Sequence, residues 1–292
     1  MIKKVLLFYT ALLLFPVVGY AQGPINGFMQ GKGKGSIVIS ETREGYKKAY
    51  LGALLVEEVP VFNTISLNSI TLFATYGLTK DLDIVFNLPY VQSKGSGNRE
   101  TLESLNYQNY RRGLQDLGVF FKYRLSKTEL NSGEINWMAA IGIQSPISGY
   151  GVNEGFQSIL AIGNRATQLS FRAIGNYLHE SGFFTSVSVG HSENSTVVPS
   201  AFLSELKVGF AHKEVFAEIY LDSQNSYGGN DILGLGFDGY FPATKVNYSR
   251  LGINLYRPIG SGFGLSLGTR TIIEGRNIGK ATGYSLGLGY SF

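Results

Sequence analysis

The sequence predicts an all-β chain, a single antiparallel transmembrane β-barrel of about twelve strands with short turns at one end and longer loops at the other. Three observations carry the prediction. In 280 to 292, KATGYSLGLGYSF, the residues Tyr284, Leu286, Leu288, Tyr290 and Phe292 share one face, and Gly283, Ser285, Gly287, Gly289 and Ser291 the other. A strand points successive side chains to opposite sides, so this is a wall with one apolar neighbour. A soluble sandwich strand would put charges on its second face, and only Lys280 is charged. Second, no segment beyond the first twenty residues is apolar enough to cross a bilayer as a helix. Third, the connections between alternating segments themselves alternate between short and long.

In chain order, Lys3 and Lys4 precede an apolar run from Val5 to Val18, too short for a spanning helix, and Gly19 and Ala21 suit a signal peptidase. Residues 1–21 are therefore expected to be a cleaved secretory signal and 22–33 a flexible lead-in, with GKGKG at 31–35 leading into the first strand and the barrel occupying 34–292. Strands are expected near 34–44, 65–77, 81–91, 112–126, 134–145, 166–178, 182–192, 199–212, 214–223, 245–257, 262–274 and 280–292. The connections at 78–80, 179–181, 213 and 258–261 are tight, whereas 45–64, 92–111, 146–165 and 224–244 are long and polar. Two fit less cleanly: 127–133 is long for a turn and 193–198 short for a loop. FQSILAIGN at 156–164 could form a thirteenth strand, but an odd count breaks the alternation, so it is expected to be loop.

Composition agrees. The chain has 38 Gly, 18 Tyr, 19 Phe, one Trp and 16% charged residues, with mean hydropathy near zero. With no cysteine, a lipoprotein anchor, disulfides and thiolate metal sites are excluded. The formal net charge is +4, of which Lys3 and Lys4 carry two, and no basic run suggests a nucleic-acid partner.

The faces of single strands set the orientation. Leu117, Val119, Phe121, Tyr123 and Leu125 oppose Arg112, Asp116, Gly118, Lys122 and Arg124. Leu82, Ile84, Phe86, Leu88 and Tyr90 oppose Asp81, Asp83, Val85, Asn87 and Pro89. Val215, Ala217, Ile219 and Leu221 oppose Glu214, Phe216, Glu218, Tyr220 and Asp222. Turning a Lys or Arg to lipid costs roughly 2 to 4 kcal/mol at the midplane, so the charged faces line a lumen. The candidate lumen residues are Arg112, Asp116, Lys122, Arg124, Arg172, Glu205, Lys207, Glu218, Arg250, Arg270 and Glu274. Both signs occur, so neither cation nor anion selectivity is written in, and salt-bridge ladders filling a narrow barrel compete with a selective path. Arg250 and Arg270, on adjacent strands, call for acidic partners. Tyr107, Tyr110 and Tyr150 in the long loops are candidates for a constriction or, equally, for an interfacial girdle.

The aromatic-ended last strand resembles the C-terminal signature of bacterial outer-membrane barrels, which implies recognition by the barrel assembly machinery through the strand ending in Phe292, a periplasmic Phe292, and external long loops. LPYVQSKGSG, GLQDLGVFFKYRL, AAIGIQSPISGYG, SGFFTSVSVGH and ELKVGFAHKEVFAEIYLDS together resemble the outer-membrane family associated with the phenol meta-pathway (MetA-pathway), also described simply as transporters. The resemblance covers most of 22–292. The family's Gly-Leu-x-Asp-Leu and Lys-Tyr-Arg-Leu elements are matched by Gly113, Leu114, Asp116, Leu117, Lys122, Tyr123, Arg124 and Leu125, while its Pro-Thr-Gly is replaced by Pro146-Ile147-Ser148-Gly149. It implies passage of small, often hydrophobic compounds across the outer membrane.

Chemistry-bearing motifs are sparse. His191 beside Ser192 has the place a barrel lipase gives its dyad, but adjacent residues on a strand point apart. GRNIGK at 275–280 has one residue too few for a phosphate loop, and Asp231 and Asp238 are the acids nearest to a loop calcium site. No enzyme, cofactor or resident metal is expected. The expected function is a channel or facilitated-uptake route for a small solute of hydrophobic or aromatic character. A non-conducting structural or surface-interaction barrel is the alternative, and an outer-leaflet hydrolase using His191 a third. Partners would be outer-membrane lipid and lipopolysaccharide, the assembly machinery and the solute.

Overall fold

A computed structural model of the chain describes residues 25–59 and 61–292; the expected signal at 1–21 lies outside them. The barrel strands are β1 (Gly35–Tyr46), β4 (Thr64–Gly77), β5 (Leu82–Ser96), β6 (Tyr110–Leu114), β7 (Asp116–Leu130), β8 (Gly133–Pro146), β9 (Gln168–His179), β10 (Phe183–Asn194), β11 (Ala201–Ala211), β12 (Phe216–Ser226), β13 (Asn247–Gly260), β14 (Phe263–Arg276) and β15 (Thr282–Ser291). Each pairs antiparallel with its neighbours, β1 pairs with β15, and β4 with β5, which closes the cylinder. β6 and β7 are two lengths of one strand interrupted at Gln115, so the barrel has twelve staves. A short hairpin of β2 (Ala49–Leu51) and β3 (Leu54–Val56) and the helix α1 (Arg99–Ser104) decorate the long loops.

All twelve expected strands form. At the end carrying both Gly35 and Phe292 the connections are 78–81, 131–132, 180–182, 212–215 and 261–262; at the other they are 47–63, 97–109, 147–167, 195–200, 227–246 and 277–281. The long 127–133 connection shrinks because β7 and β8 keep pairing past it, tied by Lys127 to Glu134 at 2.8 Å. FQSILAIGN is loop, with a 3₁₀ turn at Gln157–Leu160.

The outside of the barrel is an apolar belt, with Ile37, Leu72, Phe86, Phe121, Ile141, Phe171, Val187, Val208, Ile219, Ile253, Leu267, Leu286 and Leu288 all exposed. Such a surface needs hydrocarbon, not water, around it. The inside is polar and tightly filled at one end.

That filling corrects the expected flexible lead-in. From Ile25 the chain runs inside the barrel, held at the Gly35 end by hydrogen bonds from Gly33 N to Gly77 O (2.8 Å) and from Gly77 N to Lys34 O (2.9 Å). Ile25 packs with Val38, Phe73, Val85, Phe120, Met138, Ala140 and Ile174. Phe28 stands edge-on to Phe184 and Phe216, with centroids 5.0 and 6.0 Å away. Glycines 31 and 33 have positive φ and make the turn that feeds the segment back into the lumen. The glycines signal a tight reversal here, not freedom.

Candidate functional site: a charged lumen above an N-terminal plug

The plug is anchored by a buried ion pair. Lys122, 2% exposed, lies 3.3 Å from Asp83, which is fully buried. The Lys122 ammonium also donates to the carbonyls of Asn26 and Phe28, and Asp83 accepts from Gln30 N at 3.1 Å. An ammonium has three donors and no acceptor, so Lys122 is engaged almost entirely with the plug and its own counter-ion. At the wall, Arg124 pairs with Asp81 at 2.6 Å.

Beyond the plug the lumen opens into a chamber of about 570 Å³. Its wall includes Thr42, Glu44, Asn87, Gln115, Gln144, Gln168, Arg172, Glu205, Tyr220, Asp222, Tyr248, Arg250 and Arg270. Two ion pairs lie along its wall: Arg250 to Asp222 at 2.8 Å and Arg270 to Glu44 at 2.7 Å. Lys207 and Glu205 pair at 3.1 Å, and Glu218 accepts from Asn254 at 2.8 Å. The expected acidic partners of Arg250 and Arg270 are thus present, as neighbours in the ladder or one stave further.

The glycine-rich inner face of β15 explains the longer reach. Glu44 on β1 crosses Gly283 to meet Arg270 on β14, its Cβ lying 3.3 Å from where a Gly283 side chain would begin. Further down, the Tyr256 ring lies over Gly264 and Gly289. The small face makes room for neighbours' side chains, and part of that room remains as the chamber.

Of the candidate lumen residues, Arg172, Glu205, Arg250 and Arg270 line the chamber, and Lys122, Lys207 and Glu218 are buried in the lumen. Asp116 is at the mouth, accepting from the Tyr150 hydroxyl at 2.5 Å, while Glu274 is exposed in the outer part of β14. Arg112 faces outward, contrary to expectation. Gly118 pairs with Asn87 but Leu114 with Tyr90, so one extra residue, Gln115, is inserted opposite β5. A bulge inverts the alternation on its far side. Arg111 takes the inward place, bridging to Glu154 at 2.5 Å, and Arg112 lies over the Tyr110 ring outside.

None of the three loop tyrosines lines the chamber. Tyr150 is buried with Val91, Val152 and Ile162, and its hydroxyl accepts from Arg165 N at 3.0 Å. Burial and the Asp116 carboxylate hold its pKa above the usual phenol value. Tyr107 packs beside Phe62, Leu102 and Leu160 in the loop cap, and Tyr110 is exposed. The chamber's aromatics include Phe73, Tyr220 and Tyr248, and strand parity with Glu218, Asp222 and Arg250 was the available signal for the two tyrosines. Over the mouth, Asn277 and Asp231 join three loops: Asn277 Oδ1 accepts from Gly52 N (2.7 Å) and Ile232 N (3.0 Å), while Asp231 binds Arg276 and Asn277. The Arg276 hydrogen bond holds the Asp231 carboxyl below its ordinary range.

His191 contacts Glu193 at 3.1 Å and stacks on Tyr227, while Ser192, 1% exposed, bonds toward Ala201 O inside the wall. They point to opposite sides and form no dyad. Among the described residues no group of three or more His, Cys, Asp or Glu could hold a metal ion.

No protein-family model and no curated protein matches the sequence. Solved structures do. An outer-membrane channel from Pseudomonas putida F1 overlays with a TM-score of 0.71 at 16% identity, covering 94% of this chain and 100% of that one. The translocator domain of the autotransporter NalP from Neisseria meningitidis gives 0.45 at 11% identity, over 99% and 94%, and the monoaromatic hydrocarbon channel CymD 0.39 at 7%, over 89% and 88%. The fold is that of a bacterial outer-membrane barrel.

Proposed function

We propose that this barrel of the bacterial outer membrane is a channel or facilitated-uptake route for a small solute, closed at rest by its own N-terminal segment. The observation that carries the reading is the chamber of about 570 Å³ with polar walls, lying directly above a plug made of residues on one short stretch. A purely structural barrel gains little from a solvent-sized space walled by ion pairs, since unfilled lumen forfeits packing. Small-molecule sites commonly occupy roughly 300 to 1,000 Å³, so the chamber is of a size to hold one small solute.

Its walls favour an aromatic solute bearing polar groups over a plain hydrocarbon, because Tyr220 and Tyr248 supply ring faces among amides and guanidinium groups. The overlay with the Pseudomonas putida channel is consistent with conduction. Access from the outside passes Val91 and Ile162, which close part of the mouth.

The test is flux into proteoliposomes. Wild-type protein is expected to pass small solutes slowly, and a variant lacking residues 25–30 to pass them several-fold faster. If neither protein raises flux above empty liposomes while both migrate as folded barrels, the channel reading fails and a non-conducting barrel stands.

A further inference from the structure

Among the described residues, the cations that face the lumen meet carboxylates, with Arg172 the exception. Glu44 has Arg270, Asp222 has Arg250, Glu205 has Lys207, and Glu218 has the Asn254 amide with Lys207 nearby. Below the chamber Asp83 has Lys122 and Asp81 has Arg124. Arg172 lines the chamber, and among the described residues no carboxylate lies within salt-bridge distance of it. Its register explains why: the residues opposite it are Ala140 on β8 and Gly190 on β10. Neither has a side-chain acceptor to offer it. The same chamber wall carries the rings of Tyr248 and Tyr220 and the amides of Gln144 and Gln168, each amide both donor and acceptor.

A guanidinium stays charged at any physiological pH and presents a planar fork of donors that matches a carboxylate in two parallel hydrogen bonds. Leaving such a group without a carboxylate, in a lumen whose other described cations each have one, leaves a place for an anion. We propose that the chamber binds a small organic carboxylate, with Arg172 as its docking cation, the glutamine amides meeting its polar substituents and the Tyr248 and Tyr220 rings beside its body. The inference rests on reading the lumen as a solute site, and it names the solute class that the fold alone does not.

Calorimetric titration of the detergent-solubilised full chain tests it, with benzoate as probe, benzamide as its uncharged isostere and chloride as competing anion. Wild type is expected to bind benzoate about tenfold or more tighter than benzamide, the range a charge-assisted pair supplies, with little loss in equimolar chloride. Arg172→Gln should abolish the preference, Arg172→Lys should keep part of it, and Arg112→Gln, on the outer wall, should leave it intact. The variant lacking residues 25–30 controls for access and should show the same preference. Folding of each variant is read from heat-modifiable electrophoretic mobility. Equal binding of benzoate and benzamide by both the full chain and the deletion, full displacement by equimolar chloride, or a preference that survives in folded Arg172→Gln would each overturn the proposal. A benzoate preference without liposome flux would reject conduction and leave the site standing.

Discussion

Lys122 shows what a single lumen charge can be made to do. Its parity with Arg124 in the sequence places it inward, and the structure adds that it is sealed against Asp83 and the backbone of Asn26 and Phe28. Removing one partner of a buried pair strands the other charge and typically costs about 3 to 5 kcal/mol. Lys122→Met is therefore expected to lower the urea midpoint of unfolding, followed by electrophoretic mobility, and to raise conductance by freeing the plug. Pairing it with Asp83→Leu should recover much of the midpoint but none of the closure; a double variant as closed as wild type would show that the pair does not hold the plug. The partners of Arg250 and Arg270 were foreseeable as acids but not as Asp222 and Glu44, because register and the gap over Gly283 decide which acid can reach.

At the scale of elements, period-two alternation made every strand readable, since a lipid-facing wall allows no charge and a lumen wall demands some. The same rule failed where one residue is inserted. Gln115 costs the alternation a single step, and Arg112 and Arg111 exchange sides. Local composition does not announce a bulge in a stretch that remains plausibly alternating on both sides. The N-terminal segment is the other element misread: GKGKG looks unconstrained, yet two glycines there take positive φ to enter the barrel. Gly77 on β4 receives that turn, and a Cβ placed on it would fall onto the Gly31 backbone. Gly77→Ala should accordingly leave the barrel folded while displacing the plug, read as protease cleavage before Gly35 together with higher conductance. Unchanged protection of residues 25–34 would count against this docking.

At the scale of the whole molecule, closure of the sheet satisfies the backbone hydrogen bonds that a bilayer would leave unmet, and the apolar belt then faces hydrocarbon. Trp137, the single tryptophan, is 53% exposed on that belt and lies flat against Gly175. In lipid its emission should be blue-shifted and quenched by nitroxide-labelled acyl chains but not by aqueous iodide. The reverse pattern would contradict the outward placement of this face. Phe292 closes the cylinder at the other end of the chain's path, exchanging backbone hydrogen bonds with Gly35 at 2.9 and 3.0 Å and stacking near Tyr76 and Tyr290.

By itself the sequence determined the class of fold, the number of staves, the side of each stave that meets lipid except beyond the bulge at Gln115, and the end that carries the long loops. All of these follow from local rules, the two-residue period of a strand and the exclusion of charge from hydrocarbon. Only the tertiary structure decided what occupies the lumen. Whether Gly283 to Ser291 leaves space or admits a neighbour depends on side chains from β1 and β13, and whether the barrel is open depends on residues 25–30 packing against strands far along the chain. The charge left unmatched at Arg172 is of the same kind, because it is defined by Ala140 and Gly190 standing opposite, which register alone brings there.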